Sequence, residues 1–325
     1  MPGVELPERG HAAVDNGVIP NCLLRPSRPA FHLVHRSPSW EYYAVDAPSR
    51  YEELFTVSGE LPAGTAPAGG RTGQFHDTRF LTELVLHTGG LIGHRYFGIP
   101  SYLPARLSVF ELDAHDPAAW HAGQDPASFT VDLRVRPDQL PDRAPHRLQI
   151  EGAASLNSVP CARVTAVLGF RVSVPLSAPE PAGPAFPVAP AEVGVTEPES
   201  VLIGTPVLSS YGRLTSPVLV SEDLPRLGAR PDREVSDLTL VEAVRQASLL
   251  CARLTCGLRP QRSVTTALTV RRRGSAVAGA QLHITAVPGT LQLDERGHPC
   301  APVVLTVHQG GRAVVEATAE VHQDL

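Results

Sequence analysis

Two glutamates stand where a carboxylate can do chemistry. Glu83 lies in Phe80-Leu81-Thr82-Glu83-Leu84-Val85, and Glu242 lies in Leu240-Val241-Glu242-Ala243-Val244. Each follows a leucine by two residues, in the first turns of an apolar stretch with helical spacing. Burying a carboxylate disfavours its charge, and the positive end of a helix opposes that effect. A group balanced in this way accepts a proton from an attacking hydroxyl, or from an acidic carbon between two carbonyls. The structural alternative is a carboxylate bonded to the opposite helix or to a free backbone N–H. His76-Asp77 precedes the first stretch. A helix amino end keeps an imidazole neutral, so His76 reads as a general base or oxyanion donor, and helix capping is the other reading of the pair. In His35-Arg36 the guanidinium is a permanently charged two-pronged donor for a phosphate, with a plain surface turn as the alternative.

Other chemistries are expected to be absent. His87 and His94 follow Glu83 on one helix face, but their spacing is not that of a compact zinc pair. No metal is expected there, and His87 is expected to pack in the core. The 28 basic residues are all arginine. With no lysine there is no Schiff-base anchor for pyridoxal phosphate and no phosphate-binding loop of the Walker type. No cofactor is expected. Together with 32 Pro and 27 Gly, the missing lysine points to GC-rich coding of the kind found in soil actinobacteria. Five scattered cysteines read as reduced packing residues, because Cys251 and Cys256 have no second pair to complete a zinc site. The net charge of −5 offers no footprint for nucleic acid. The acidic start lacks the apolar core of a signal peptide, and no apolar run is long enough for a bilayer. A cytoplasmic protein is expected, without membrane or nucleic-acid partners.

These residues need elements to position them. Residues 1–28 are polar and proline-punctuated, a partly ordered lead-in. Strands are expected at Leu54–Leu61, Arg106–Leu112, Ser128–Val135, His146–Glu151 and Cys161–Pro175, and a further one at Trp40–Val45. The helix between them begins after Asp77-Thr78 and stops near Gly98-Ile99-Pro100. Residues 177–200 are rich in proline and alanine and have no periodicity, which reads as a semi-rigid linker. A strand pair within Val207–Val220 follows, then a helix over Asp237–Leu254. Four strands complete the chain: Thr265–Arg272, Gln281–Val287, Ala301–His308 and Arg312–Val321. Strand, long helix, then antiparallel strands is the hotdog plan, and both halves repeat it. The expected fold is α+β, a tandem double hotdog with two long central helices, each wrapped by an antiparallel sheet. Residues 29–176 and 201–325 form the N- and C-terminal units. Monomer and homodimer both stay open.

Three stretches, VHRSP (34–38), DTRFLTELVLHTGGLIGHRYFGIP (77–100) and LTLVEAVRQASLL (238–250), resemble the A-factor biosynthesis hotdog family over roughly residues 30–320. The most specific is VEAVRQAS, close to the family's LEAARQA helix, followed by the D-x-x-x-L-x-E pattern from Asp77 to Glu83. The resemblance implies an acyltransferase or condensing enzyme of γ-butyrolactone or butenolide type. Such an enzyme joins a β-ketoacyl group, carried as a thioester on an acyl carrier protein or coenzyme A, to a small hydroxylated acceptor such as dihydroxyacetone phosphate. The candidate catalytic residues are Glu83, Glu242 and His76, and the resemblance adds weight to the two glutamates; the candidate substrate-binding residues are His35, Arg36, Asp77, Arg245 and Gln246. The chain departs from the family at Arg233-Glu234-Val235-Ser236-Asp237-Leu238, where members carry Asp-His-Val-Pro-Gly-Met. Glu234 replaces the histidine, which implies an altered second site. A divergent hotdog dehydratase, cyclase or thioesterase is the alternative, and a non-catalytic acyl binder is a third reading. Arg271-Arg272-Arg273 reads either as a landing point for an acidic carrier protein or as a solvated hairpin tip.

Overall fold

The computed structural model describes residues 31–36, 49, 51–61, 75–123, 125–138, 145–172, 183, 185–220, 234–294 and 296–324. The lead-in over 1–28, the strand expected at Trp40–Val45 and Arg233 lie outside them.

The first half comprises β1 (His32–His35), β2 (Glu53–Leu61), α1 (Arg79–Tyr96), β3 (Ala105–Asp113), β4 (Ala127–Pro137), β5 (Arg147–Leu156) and β6 (Val159–Phe170). The second comprises β7 (Val207–Leu208), β8 (Leu214–Pro217), α2 (Asp237–Cys256), β9 (Ser263–Arg272), β10 (Leu282–Pro288), β11 (Gln292–Leu293), β12 (Pro299–Gln309) and β13 (Arg312–Gln323). All the strands form one antiparallel sheet, ordered β1-β2-β4-β5-β6-β3-β9-β13-β12-β10-β8-β7, with β11 paired to β12. Read outward from the central β3–β9 pair, both halves run in the same order. β6, β5, β4 and β2 on one side match β13, β12, β10 and β8 on the other, and each half inserts its long helix before the central strand.

Alternation explains why the strands accept helices on one face. In β4, Phe129, Val131, Leu133 and Val135 are buried, and the residues between them are exposed. α1 packs on β3, β5 and β6, and α2 packs on β9, β10, β12 and β13. α1 lies very close to its sheet at two glycines. A Cβ built on Gly89 would stand 2.4 Å from Leu168 Cδ1, and one on Gly93 would stand 2.5 Å from Phe170 Cζ. The Asp77 carboxylate accepts a hydrogen bond from the Arg79 backbone N–H at 2.9 Å at the start of α1. Ser236 accepts one from the Thr239 N–H at 3.1 Å and caps α2. Gly257 ends α2 in the left-handed region (φ 73°).

Three expectations need adjustment. The strands read at His146–Glu151 and Cys161–Pro175 form one hairpin, β5–β6. It turns at Asn157 (φ 47°) and Ser158 (φ 67°), a two-residue turn made without the glycine that usually signals it. His87 is exposed instead of packed, because its side of α1 faces away from the sheet. Residues 185–200 of the proline/alanine-rich stretch lie against the fold together with residues 201–204 that follow it. Val188, Val193, Val201, Leu202 and Ile203 are buried, and the turn at Pro190–Glu192 contacts α2.

Candidate active site

The family-like motif on α2 folds into one hydrogen-bonded unit. Residues three and four apart on a helix are neighbours, so Glu242 meets Arg245 and Gln246. Arg245 donates from Nε to Glu242 Oε2 at 2.8 Å and from Nη2 to Oε1 at 2.7 Å. Gln246 Nε2 donates to the same Oε1 at 2.8 Å. Gln246 is itself fully engaged. Its Nε2 also donates to Ser200 O, and its Oε1 accepts from the Leu202 N–H, both at 2.8 Å. The amide therefore ties residues 200–202 to α2 and steadies Glu242, which is 1% exposed.

The start of α1 faces this unit. Arg79 Nε lies 3.4 Å from Glu83 Oε1 and 3.5 Å from Asp77 Oδ2. Asp77, then Glu242 and Glu83, outweigh burial and the like charge of Arg245 to raise the Arg79 pKa above its ordinary value. For Arg245, burial opposes the charge, but Glu242 and Asp77 overcome it and hold the guanidinium well above its usual range. Two arginines and three carboxylates thus interlock where the helices meet. Sequence reasoning missed Arg79, although its position four residues before Glu83 was a visible signal.

A cavity of about 120 Å³ opens beside this network. Phe75, His76, Asp77 and Thr78 line it from the start of α1, Arg245 and Leu249 from α2, Gly194–Thr196 from the proline-rich segment, and Ser263–Thr265 from β9. His76 is 8% exposed, and its backbone N–H donates to Trp120 O at 2.7 Å. Burial lowers its pKa below the ordinary imidazole value, so the ring is neutral near pH 7. Arg245 spends Nε and Nη2 on Glu242, so Nη1 is the guanidinium nitrogen outside that ion pair. Among the groups read from sequence, the structure therefore gathers His76, Asp77 and Arg245 at one cavity, with Glu242 and Gln246 directly behind Arg245 and Glu83 beside Arg79.

His35 and Arg36 are not part of this gathering. His35 bonds to Glu53 Oε2 at 2.8 Å and stacks on Phe55, and Tyr96 meets both rings, its centroid 4.6 Å from that of His35 and 5.0 Å from that of Phe55. Tyr96 closes α1, and His76 precedes its start. At 1.5 Å per residue that is about 30 Å of helix. Arg36 is exposed, 3.8 Å from Asp132. Both belong to the outer end of the sheet.

The segment that departs from the family has a different use. Glu234 Oε1 accepts from Arg272 Nη2 at 2.5 Å, and its other oxygen pairs with Arg106. Asp237 also pairs with Arg272, and it accepts from the Leu107 N–H at 3.0 Å. Arg272 is thus buried in a charge-balanced cluster that joins α2 and β9 to β3, so it is unavailable as a landing point for a carrier protein. Arg271 and Arg273 pair with Glu111 and Glu316 at 3.4 and 2.7 Å. Among the described residues no cysteine lines the cavity. Burial pushes the thiols of Cys161 and Cys251 up to about 11 and that of Cys300 to about 12.

Architecture and site together define a protein built as one antiparallel sheet against two long helices, with a charged cavity where the helices meet. Residues 176–322 match the family model of the A-factor biosynthesis hotdog domain. Among solved structures, the chain is similar to a putative oleoyl thioesterase from Lactobacillus plantarum. That match has 10% identity and TM-score 0.49, and covers 83% of this chain and 96% of the other. The 12:0-ACP thioesterase from Umbellularia californica gives 11% identity and TM-score 0.48 over 83% and 94%. A MaoC-like dehydratase gives 12% identity and TM-score 0.46 over 78% and 85%. No curated protein sequence matches. Among the described residues, no helix is long and apolar enough to cross a membrane.

Proposed function

We propose that the chain is a tandem double hotdog acyltransferase, with units at 29–176 and 201–325 joined through 177–200. In this reading it moves a β-ketoacyl group from a carrier-protein or coenzyme A thioester to the hydroxyl of a small acceptor such as dihydroxyacetone phosphate, in the cytoplasm, for signalling-molecule or secondary-metabolite synthesis. The repeated strand order supports the tandem reading, since the first half copies the topology of the half that matches the family. The observation that carries the activity is the meeting of a neutral, buried His76 and a permanently charged Arg245 at one cavity.

The roles follow from this pairing. His76 takes the proton as the acceptor hydroxyl attacks the thioester carbonyl. The new C–O bond forms, the C–S bond breaks, and the proton passes from His76 to the departing thiolate. A base of this kind is worth about 10²–10⁴-fold in rate. Arg245 faces the charge that develops on the carbonyl oxygen, or the acceptor's phosphate. Glu242 already accepts three hydrogen bonds, so it acts as the clamp that aims Arg245 rather than as the proton acceptor. Glu83 is an ion-pair partner of Arg79 at 3.4 Å, and Asp77 lines the cavity.

The test is incubation with β-ketoacyl carrier protein of several chain lengths and dihydroxyacetone phosphate, read by mass spectrometry. The phosphate ester is expected, and it should fall at least about a hundredfold in His76→Gln. Free acid as the main product would instead assign a thioesterase. Bound acyl chain without turnover would assign a binder.

A further inference from the structure

We propose a divalent transition-metal site, of the zinc type, formed by Asp294, His298 and His322 at the end of β11, β12 and β13. One ligand atom from each residue converges, and all three atoms lie within 4.8 Å of one another. The geometry is that of a holder rather than of a chance surface cluster. Asp294 Oδ1 is occupied, accepting the backbone N–H groups of Arg296 at 2.8 Å and His298 at 2.7 Å. The loop is closed twice more, by the Asp294 N–H to His298 O at 2.9 Å and the Gly297 N–H to Asp294 O at 3.0 Å. That bracing aims the second oxygen, Oδ2, at both imidazoles, 3.8 Å from His298 Nδ1 and 3.7 Å from His322 Nε2.

Those separations are too long for hydrogen bonds and suit an intervening ion. Two ligand atoms 3.7 Å apart can each lie about 2.1 Å from a shared metal. The rings meet edge to face with centroids 5.4 Å apart. His322 is 5% exposed and fixed on a strand, whereas His298 is only partly buried and gives an ion access. Two imidazoles and a carboxylate suit zinc and its neighbours better than magnesium or calcium. Three protein ligands leave a coordination position for water.

The site is separate from the proposed catalytic cavity. Val321 and Ala301 pack beneath α2 with Leu249, so His322, one residue further on, points to the opposite face of the sheet. None of the three ligands lines the cavity.

The experiment is titration of the untagged, chelator-stripped protein with zinc chloride, followed by calorimetry and native mass spectrometry. One equivalent is expected, and His298→Ala, Asp294→Asn and His322→Gln should each weaken it by at least about tenfold. His298 lies in a partly exposed loop, so its variant should keep the wild-type melting temperature without metal. His32→Ala, at an exposed histidine on the outermost strand β1, should bind as wild type. Cobalt chloride in place of zinc should give visible bands that His298→Ala abolishes. Absence of a saturable equivalent, or equal binding by wild type and His298→Ala, would overturn the proposal. Neither result depends on the acyltransferase reading.

Discussion

At the residue scale, the site is a set of charges that hold one another. Glu242 is buried and takes both a two-pronged guanidinium and an amide, so removing its charge leaves Arg245 without its partner in a dry setting. Breaking such a pair from one side costs about 3–5 kcal/mol. Glu242→Gln should lose stability of that order in urea unfolding and should lose activity through a misaimed Arg245. A loss of activity at wild-type stability would instead mark Glu242 as the base. His76 adds a pH dependence with a definite sign. Burial lowers its pKa in the folded chain, so the unfolded chain binds the proton more readily. Its contribution to stability is complete above the ordinary imidazole value of about 6.5 and is lost as pH falls through the folded value, with a slope of up to about 1.4 kcal/mol per pH unit. In metal-free protein His322 acts with the same sign. Urea midpoints between pH 7 and pH 5 should therefore fall more steeply for wild type than for His76→Gln.

At the element scale, the two helices were legible in the sequence because their apolar stripes are long, and α2 also carries a conventional cap at each end, Ser236 and Gly257. α2 begins at Asp237 as its spacing predicts, and α1 starts directly after Asp77-Thr78. The strands around β4 were legible through alternation. The β5–β6 turn was not, because Asn157-Ser158 takes up left-handed backbone without glycine. The meeting of His76, Asp77 and Arg245 was only half legible. Each residue could be singled out, but sequence spacing cannot bring position 76 to position 245. The fate of Gln246 was hidden for a related reason, since its partners are backbone groups of Ser200 and Leu202 in a stretch without periodicity. The closeness of α1 to its sheet gives a direct check. Gly93→Val would push side-chain atoms into Phe170 and Ile99. Overpacking of this kind costs about 1–3 kcal/mol, and thermal unfolding should show it.

At the scale of the whole molecule, the two halves meet through the β3–β9 pair and through the cluster of Arg106, Arg272, Glu234 and Asp237. Residues from both halves complete it, with Glu234 bridging Arg106 of β3 and Arg272 of β9. Arg272→Leu should destabilise the fold by about 3–5 kcal/mol, because two carboxylates then lose a buried partner. Replacing Glu234 and Arg272 together with Met and Leu should recover part of that loss, as expected when a buried ion pair is exchanged for packing. Denaturant midpoints of the single and double variants decide this. The cavity beside Arg245 lies between the same halves, lined by the start of α1 from one side and by α2 and β9 from the other. The site would then depend on both units, and neither half alone would hold it. The most direct measurement is a crystal structure with a non-hydrolysable β-ketoacyl pantetheine amide bound. The account predicts the carbonyl oxygen within hydrogen-bond reach of Arg245 Nη1 and the acceptor side of that carbon facing His76. An acyl carbonyl bound away from both residues, in an otherwise unchanged fold, would contradict it.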